Sequence, residues 1–535
     1  MISKLKSLRY VNMKGSFLKK ATCSAILCTI IVSAGGIGAA ANEDDSLPSA
    51  YSSLDSGYVT SVKVQDYNSC WAFAGLATYE SFLLRNGQVI DDMSTDHLNI
   101  WATPHSDGTG WIREVSTDGY ATIAPGYLTS WQGGVFKSEA GDISLHGNLT
   151  SDDINTDSAR YGITSIKYLK KDDPTEIKRA IMENGGVYSS YSHSVSCMSD
   201  DKISYFMPSG YTGGYAGHAI EVIGWDDNYS KDLFKEINGE KPQNDGAWLI
   251  KNSWGSSYNS IGGYIWMSYE DAYLFADKYK WSYTLTGYEQ IDDNKKLMQN
   301  EIYGATYEFK YINSKDLTFL NRFTFDEDYD TIDKVIFETV ADGADYSIYY
   351  VPDNADNTPD ADTAHWTKLY DGKTDYAGYI CADIEDFKLP DSTGSIAVSI
   401  DTSKTDSTAS LGVGEWLTSN DDFKFKNSSR KGESYIYSGG TMTDLMDWYL
   451  DVNKDDMGGT FVIKAVAVQD NTPTLLGDAN LDGIVNINDV TEIQRNLAEY
   501  ISLSKTAKAN ADFNQDGSIT IEDCTSMQHY LAEYR

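Results

Sequence analysis

The chain has 535 residues, with 43 Lys and Arg against 79 Asp and Glu and a formal net charge of -36. Such a length exceeds what one hydrophobic core serves and sets an expectation of three or four domains. So acidic a protein argues against nucleic acid or an anionic membrane as partner, and fits a soluble exported protein.

Residues 1–41 read as a signal peptide: Lys4, Lys6, Arg9, Lys14, Lys19 and Lys20 precede an apolar stretch, Ala21 to Ile37, and cleavage is expected near Ala41. The stretch is short, contains Gly35-Gly36 and ends in small residues, which argues against a membrane anchor, and no later segment is apolar enough to span a bilayer. Cys23 and Cys28 would leave with the signal. The remaining Cys70, Cys197, Cys381 and Cys524 show no paired spacing, so a disulfide-free fold is expected. Leu47-Pro48-Ser49-Ala50-Tyr51 follows so soon that no long propeptide fits between.

The next stretch, Gln65-Asp66-Tyr67-Asn68-Ser69-Cys70-Trp71-Ala72-Phe73, delivers a cysteine to the start of an apolar run through Leu84 that reads as a helix. A thiol at a helix N-terminus gains from the unpaired N–H groups there, which favour the thiolate. Further on, His218 opens the β-branched run Gly217-His218-Ala219-Ile220-Glu221-Val222-Ile223-Gly224-Trp225. After a polar loop comes Trp248-Leu249-Ile250-Lys251-Asn252-Ser253-Trp254-Gly255. Nucleophilic catalysis by a thiol needs a base to carry its proton and a third group to fix that base, and Cys70, His218 and Asn252 supply the three types.

In this order, Ser-Cys-Trp-Ala-Phe, Gly-His-Ala and Lys-Asn-Ser-Trp-Gly resemble the papain-like (C1) cysteine peptidases. The resemblance implies an α+β peptidase over residues 47–290, with the helix from Cys70 central and a β-rich half from about residue 180. It implies Gln65 as the side-chain donor of an oxyanion hole, beside the backbone N–H of Cys70, and Trp254 as a shield over the His–Asn contact. The step from Gln65 to Cys70 is one residue shorter than the family's, and Asn68 stands where the family carries a second cysteine. Glycines at 119, 133 and 134 are read as places of close substrate approach or as ordinary turns.

Residues 300–468 hold aromatic and β-branched runs, among them Leu317–Phe325, Lys334–Val340, Tyr346–Val351, Ser395–Ile400 and Gly459–Val468, bounded by Asp, Asn, Gly and Pro. They predict an all-β sandwich. It resembles the lectin-like module of some bacterial papain-like peptidases, which leaves two readings, carbohydrate binding or a structural spacer. Residues 469–475 read as a polar linker.

The C-terminal part repeats at an interval of 34 residues: Asp478 to Asp489 is matched by Asp512 to Asp523. Oxygen-bearing side chains at positions 1, 3, 5 and 12 with Gly at position 6 spell an EF-hand-type calcium loop. Two in register, each followed by an apolar-periodic helix and none preceded by one, resemble a type I dockerin over residues 476–535. The resemblance implies two Ca²⁺ ions, the first held by Asp478, Asn480, Asp482, the carbonyl of Ile484, Asn486 and Asp489. The second falls to Asp512, Asn514, Asp516, the carbonyl of Ser518 and Asp523. It also implies a cohesin partner on a scaffoldin, met by Ile487, Asn488, Gln494 and Arg495 or by their counterparts Ile521, Glu522, Gln528 and His529.

The whole reads as a multidomain, secreted cysteine endopeptidase acting on protein or peptide substrates, with no cofactor for catalysis, carried in a cellulosome-type complex. Two alternatives remain: acyl transfer to an amine, as in transglutaminases, and an inactive papain fold displayed for binding.

Overall fold

The computed structural model describes residues 47–533 apart from 142, 144–148, 277–281, 311–315, 327, 406–407, 415–423, 427, 452–458, 470–474, 499, 502 and 504. The expected signal segment, with Cys23 and Cys28, and most of the expected linker lie outside the described residues.

The helix Cys70–Arg85 is the axis of the N-terminal part. Trp71, Leu76, Tyr79, Phe82 and Leu83 are buried along it, and the backbone leaves it at Asn86-Gly87. Its one internal glycine marks a helix crossing, since a Cβ on Gly75 would lie 2.4 Å from Cβ of Ala124 in the helix Ile123–Thr129. A second amphipathic helix, Pro174–Asn184, is capped by the Asp173 side chain and has Pro at its first position, where the absent N–H is not missed.

The sheet behind these helices extends further than the sequence suggests. Its peptidase strands include Ala50–Ser52, paired with the strand Ala216–Asp226, and Tyr161–Leu169, both ahead of the expected start near residue 180. They continue through Ser282–Gln290, Val187–His193, Ala216–Asp226, Ala247–Lys251 and Tyr264–Ser268. On the other edge, Tyr161–Leu169 pairs with Gly378–Lys388 through Gly378↔Lys167 and Tyr379↔Ile166. That strand belongs to one layer of the C-terminal sandwich, with Thr331–Thr339, Ile463–Val468 and Lys295–Met298 beside it. A single twelve-stranded sheet therefore runs through both parts. The apolar contacts are equally continuous, from Trp71 and Tyr79 through Trp101, Tyr127 and Tyr303 to Tyr379 and Val466.

The opposing sandwich layer has six strands, with Asp316–Thr324, Thr393–Asp401 and Asp345–Val351 at its centre. Phe319, Phe337, Ile348, Val398 and Phe461 fill the space between layers. A short strand of the sandwich, Lys424–Lys426, pairs with Gly110–Ile112 and sets Phe425 edge-on against Trp111, ring centroids 5.2 Å apart.

The C-terminal helices Ile487–Leu497, Lys505–Ala511 and Ile521–Glu533 enclose Val490, Ile493, Ala507, Cys524 and Met527. The short helix Lys505–Ala511 precedes the second loop, so that loop has a helix on each side, unlike the single following helix expected. An Ala/Lys/Asn stretch of seven residues carries little periodicity of its own, and contact with the other two helices holds it in place. All four cysteines in the described residues are free thiols, and no helix there is long and apolar enough to cross a membrane.

Candidate active site

Cys70 is the first residue of the central helix and His218 the third of the strand Ala216–Asp226. The backbone of Ala219, next to His218, reaches the Cys70 sulfur. Asn252 follows directly on the strand Ala247–Lys251, and its Oδ1 lies 2.8 Å from Nε2 of His218. The same Oδ1 accepts the backbone N–H of Ser253 at 2.8 Å. A peptide N–H only donates, so this contact fixes the amide's orientation and makes Nε2 the protonated ring nitrogen. Nδ1 is left as the acceptor. Trp254 stacks over the imidazole, centroids 4.7 Å apart at 22°.

Gln65 is tied to the same loop. Its backbone N–H donates to the Ser253 carbonyl at 2.8 Å, and its Oε1 accepts from the Ser253 hydroxyl at 2.6 Å. One N–H of the amide goes to the Tyr67 carbonyl at 3.1 Å. The shortened turn closes by placing Tyr67 in the left-handed region, φ 58°, a conformation a bulky side chain rarely adopts.

Partial burial works against the expected thiolate. Loss of water on burial pushes Cys70 up to about 11, and the Asp118 charge adds to this against the backbone N–H of Ala219. A helix end supplies about 0.3–1 kcal/mol to a charge, too little to offset desolvation of a thiolate. Burial likewise holds His218 down at about 4 against its bond to Asn252, with His193 adding repulsion.

The glycines divide. A Cβ on Gly119 would meet the Trp71 ring at 2.4 Å, next in sequence to Cys70, whereas Gly133 and Gly134 make room for the rings of Tyr127 and Tyr79. The latter two serve packing.

Beneath the site is a charge cluster that sequence reasoning missed. Glu80, from the buried face of the helix, accepts from Lys63, Thr60 and the backbone of Met93. Lys251 Nζ lies 3.9 Å from Glu80, 3.8 Å from Glu221 and 2.8 Å from the Thr60 hydroxyl. The cluster clasps together the segment carrying Gln65, the helix carrying Cys70 and the strand that ends just before Asn252. Its signal was legible as charged residues inside otherwise apolar runs.

The two C-terminal loops superimpose in their hydrogen bonds. Asp478 accepts the N–H of Asp482 and Gly483, as Asp512 does those of Asp516 and Gly517; Asp489 accepts Asn480 and Asn486, as Asp523 does Asn514 and Thr520. Gly483 and Gly517 take φ of 80° and 87°, the sharp turn the pattern requires. Among the described residues no cluster of three or more His, Cys, Asp or Glu stands at metal-ligand spacing. The donor set mixes carboxylates with amide and carbonyl oxygens, the chemistry that suits Ca²⁺. Ile487, Asn488, Gln494, Arg495, Ile521, Glu522, Gln528 and His529 are all exposed.

A thiol at the start of the central helix, the backbone beside His218 at its sulfur, and Asn252 against the imidazole make up the arrangement expected of a papain-type cysteine protease. The papain family cysteine protease model matches residues 47–282, the lectin-like domain model residues 297–467 and the dockerin type I model residues 476–532. A solved structure of the clostridial cysteine protease Cwp84 after propeptide cleavage is 32% identical with a TM-score of 0.68, over 78% of this protein and 99% of that one. Another, of the cysteine protease and lectin-like domains of Cwp84, a surface layer associated protein of Clostridium difficile, is 31% identical with a TM-score of 0.68, over 79% of this protein and 89% of that one. Ananain of Ananas comosus is 27% identical over 231 residues, 41% of this protein and 55% of that one, so the match spans about half the length of this curated relative. The protein belongs to the papain family of cysteine proteases and carries a lectin-like domain and a type I dockerin.

Proposed function

We infer that the protein is a secreted cysteine endopeptidase held by a calcium-dependent dockerin to a scaffoldin cohesin. The observation that carries the catalytic part is the 2.8 Å contact between His218 Nε2 and Asn252 Oδ1 beneath the Trp254 indole. It leaves Nδ1 as the acceptor toward the helix that begins at Cys70. The Cys70 sulfur attacks the scissile carbonyl carbon and its proton passes to Nδ1 of His218. Charge gathering on the carbonyl oxygen is met by the Cys70 backbone N–H and the Gln65 amide. The tetrahedral centre collapses, the C–N bond breaks, and His218 returns the proton to the departing amine. Water then attacks the thioester with His218 again as base, which releases the acid and restores the thiol.

For the C-terminal module, the paired donor sets support two Ca²⁺ ions, one per loop, and the exposed positions 487, 488, 494 and 495 with their counterparts support the cohesin face. The sandwich contributes two strands' worth of contact to the peptidase sheet and core, and this supports the structural role over sugar binding.

The test is peptide hydrolysis by the wild type and by Cys70→Ala, with mass spectrometry locating a thiol-directed alkylator. Hydrolysis abolished by Cys70→Ala is the expected result. Transfer to an added amine that outruns hydrolysis would favour the acyl-transfer alternative, and an unreactive wild type the inactive fold.

A further inference from the structure

The indole of Trp71, which follows Cys70 in the central helix, is gripped from outside that helix. The Arg113 guanidinium lies over its ring, 4.9 Å from the centroid, and Gly119 stands so close that a Cβ there would fall 2.4 Å from the ring. Both residues belong to the segment between the strand Gly110–Ile112 and the helix Ile123–Thr129. The backbone N–H of Trp71 reaches the Cys70 sulfur, and the charge of Asp118, in the same segment, is felt there too.

Arg113 is itself held firmly. It is buried, and its guanidinium donates to the carbonyls of Asn99 and Ala102 at 3.1 Å, of Thr117 at 2.8 Å and of Asp118 at 3.3 Å. A rigid fork of donors spread over four carbonyls ties the segment to the end of the helix Thr95–Trp101 and fixes where the cation meets the indole. All four cysteines in the described residues are free thiols, so these contacts do their work without a disulfide.

The sandwich sets the other end of this chain of contacts. Two residues before Arg113, Trp111 pairs in register with Phe425 of the strand Lys424–Lys426. Phe425 meets Trp111 and Tyr303 edge-on, centroids 5.2 and 4.7 Å apart, and all three rings are buried. The Tyr303 hydroxyl lies 2.6 Å from Nε2 of His105, whose Nδ1 faces Asp152, and Trp111 also lies 6.1 Å from Tyr120 at the far end of the segment. Rings packed edge to face in a close-packed interior pass a displacement on to their neighbours.

We propose that Phe425 of the sandwich and Arg113 of the peptidase are positioning residues for Cys70. The strand Lys424–Lys426 sets Trp111, Trp111 sets Arg113, and Arg113 with Gly119 sets the Trp71 ring and the first turn of the helix. The sandwich thereby acts on the reaction through the placement of the sulfur. The inference rests on the peptidase reading, with Cys70 as nucleophile; a displacement of about 1 Å at such a group costs about a hundred-fold in rate.

The experiment uses the full-length protein with calcium present and measures peptide turnover per Cys70 that iodoacetamide can alkylate. Phe425→Ala should lower kcat about ten-fold or more with KM changed less than about two-fold. Phe425→Leu, close to the original volume, should recover most of that loss. Arg113→Lys keeps a cation near the ring without the fork and should lower kcat in the same way. Because both act along one chain, the double variant Phe425→Ala, Arg113→Lys should lose no more than about two-fold beyond the worse single variant. Trp111→Phe probes the same contact more gently and decides the matter if Phe425→Ala does not fold. Variants that melt at lower temperature while kcat per alkylatable thiol holds mark the contact as packing and overturn the inference, as do losses that multiply in the double variant. Either outcome leaves the peptidase reading intact. A wild type that hydrolyses no peptide removes that reading and this inference with it.

Discussion

Glu221 offers a test of how the buried charges beneath the proposed triad are balanced. It sits three residues after His218 on the same strand, fully buried, with Lys251 Nζ at 3.8 Å. Burial pushes its carboxyl from 4.5 up to about 7, ahead of the opposing attraction of Lys251. At about 1.4 kcal/mol per pH unit, the folded protein holds that proton more tightly than the unfolded one by about 3 kcal/mol. The sign follows. Below pH 4.5 the group is protonated in both states and stability is complete. Between 4.5 and 7 the unfolded state has lost the proton and the folded state has not, so stability falls as pH rises, and above 7 the full penalty stands. Glu221→Gln removes the titration. Guanidinium unfolding followed by tryptophan emission, at about pH 4 and about pH 8 with calcium fixed, should show the variant gaining about 3 kcal/mol relative to the wild type between the two pH values. The difference between pH values is the readout, because any cost of burying the new amide is the same at both. Parallel behaviour of the two proteins would refute the reasoning, and a variant weaker at the higher pH would show that Lys251 depends on the Glu221 charge.

Gln65→Ala should lower turnover about 10²–10³-fold with little change in KM, as loss of one oxyanion donor does; full activity would mean that the shortened turn holds the amide away from the oxyanion. Ser253→Ala frees Gln65 Oε1 and should give a smaller loss in kcat, read against unchanged thermal stability. Residues 47–290 produced alone should be insoluble or unfolded, since Tyr161–Leu169 loses its partner strand and Trp111 loses Phe425; a folded, active fragment would return the sandwich to the status of a spacer. Calcium chelation should unfold the module from residue 476 onward and abolish cohesin binding while peptide hydrolysis continues, because its proposed ligands all lie between Asp478 and Asp523. Loss of hydrolysis would point to a further calcium site.

Much of this protein is legible in single stretches of sequence. The residues proposed as nucleophile, base and orienter are of chemically distinctive types, and the turn around Cys70, the strand at His218 and the Lys-Asn-Ser-Trp-Gly segment are set by short-range pattern. The loops proposed to hold calcium are legible for the same reason: every proposed ligand of one loop lies within twelve residues, and glycine at the sixth marks the turn. Three features depended on tertiary structure. The sequence placed Cys70 where a helix end favours the thiolate, but desolvation of the sulfur depends on what packs around it, and the half-buried thiol is pushed up instead. It could not pair Gly378–Lys388 with Tyr161–Leu169, because strand partners more than two hundred residues apart leave no periodicity in either run. Nor could it set His193 against Trp254 or gather Glu80, Glu221, Lys63 and Lys251 beneath the candidate site. Charge and ring contacts of that kind act across space between residues drawn from four separate segments, and only the closed fold brings their short range into play.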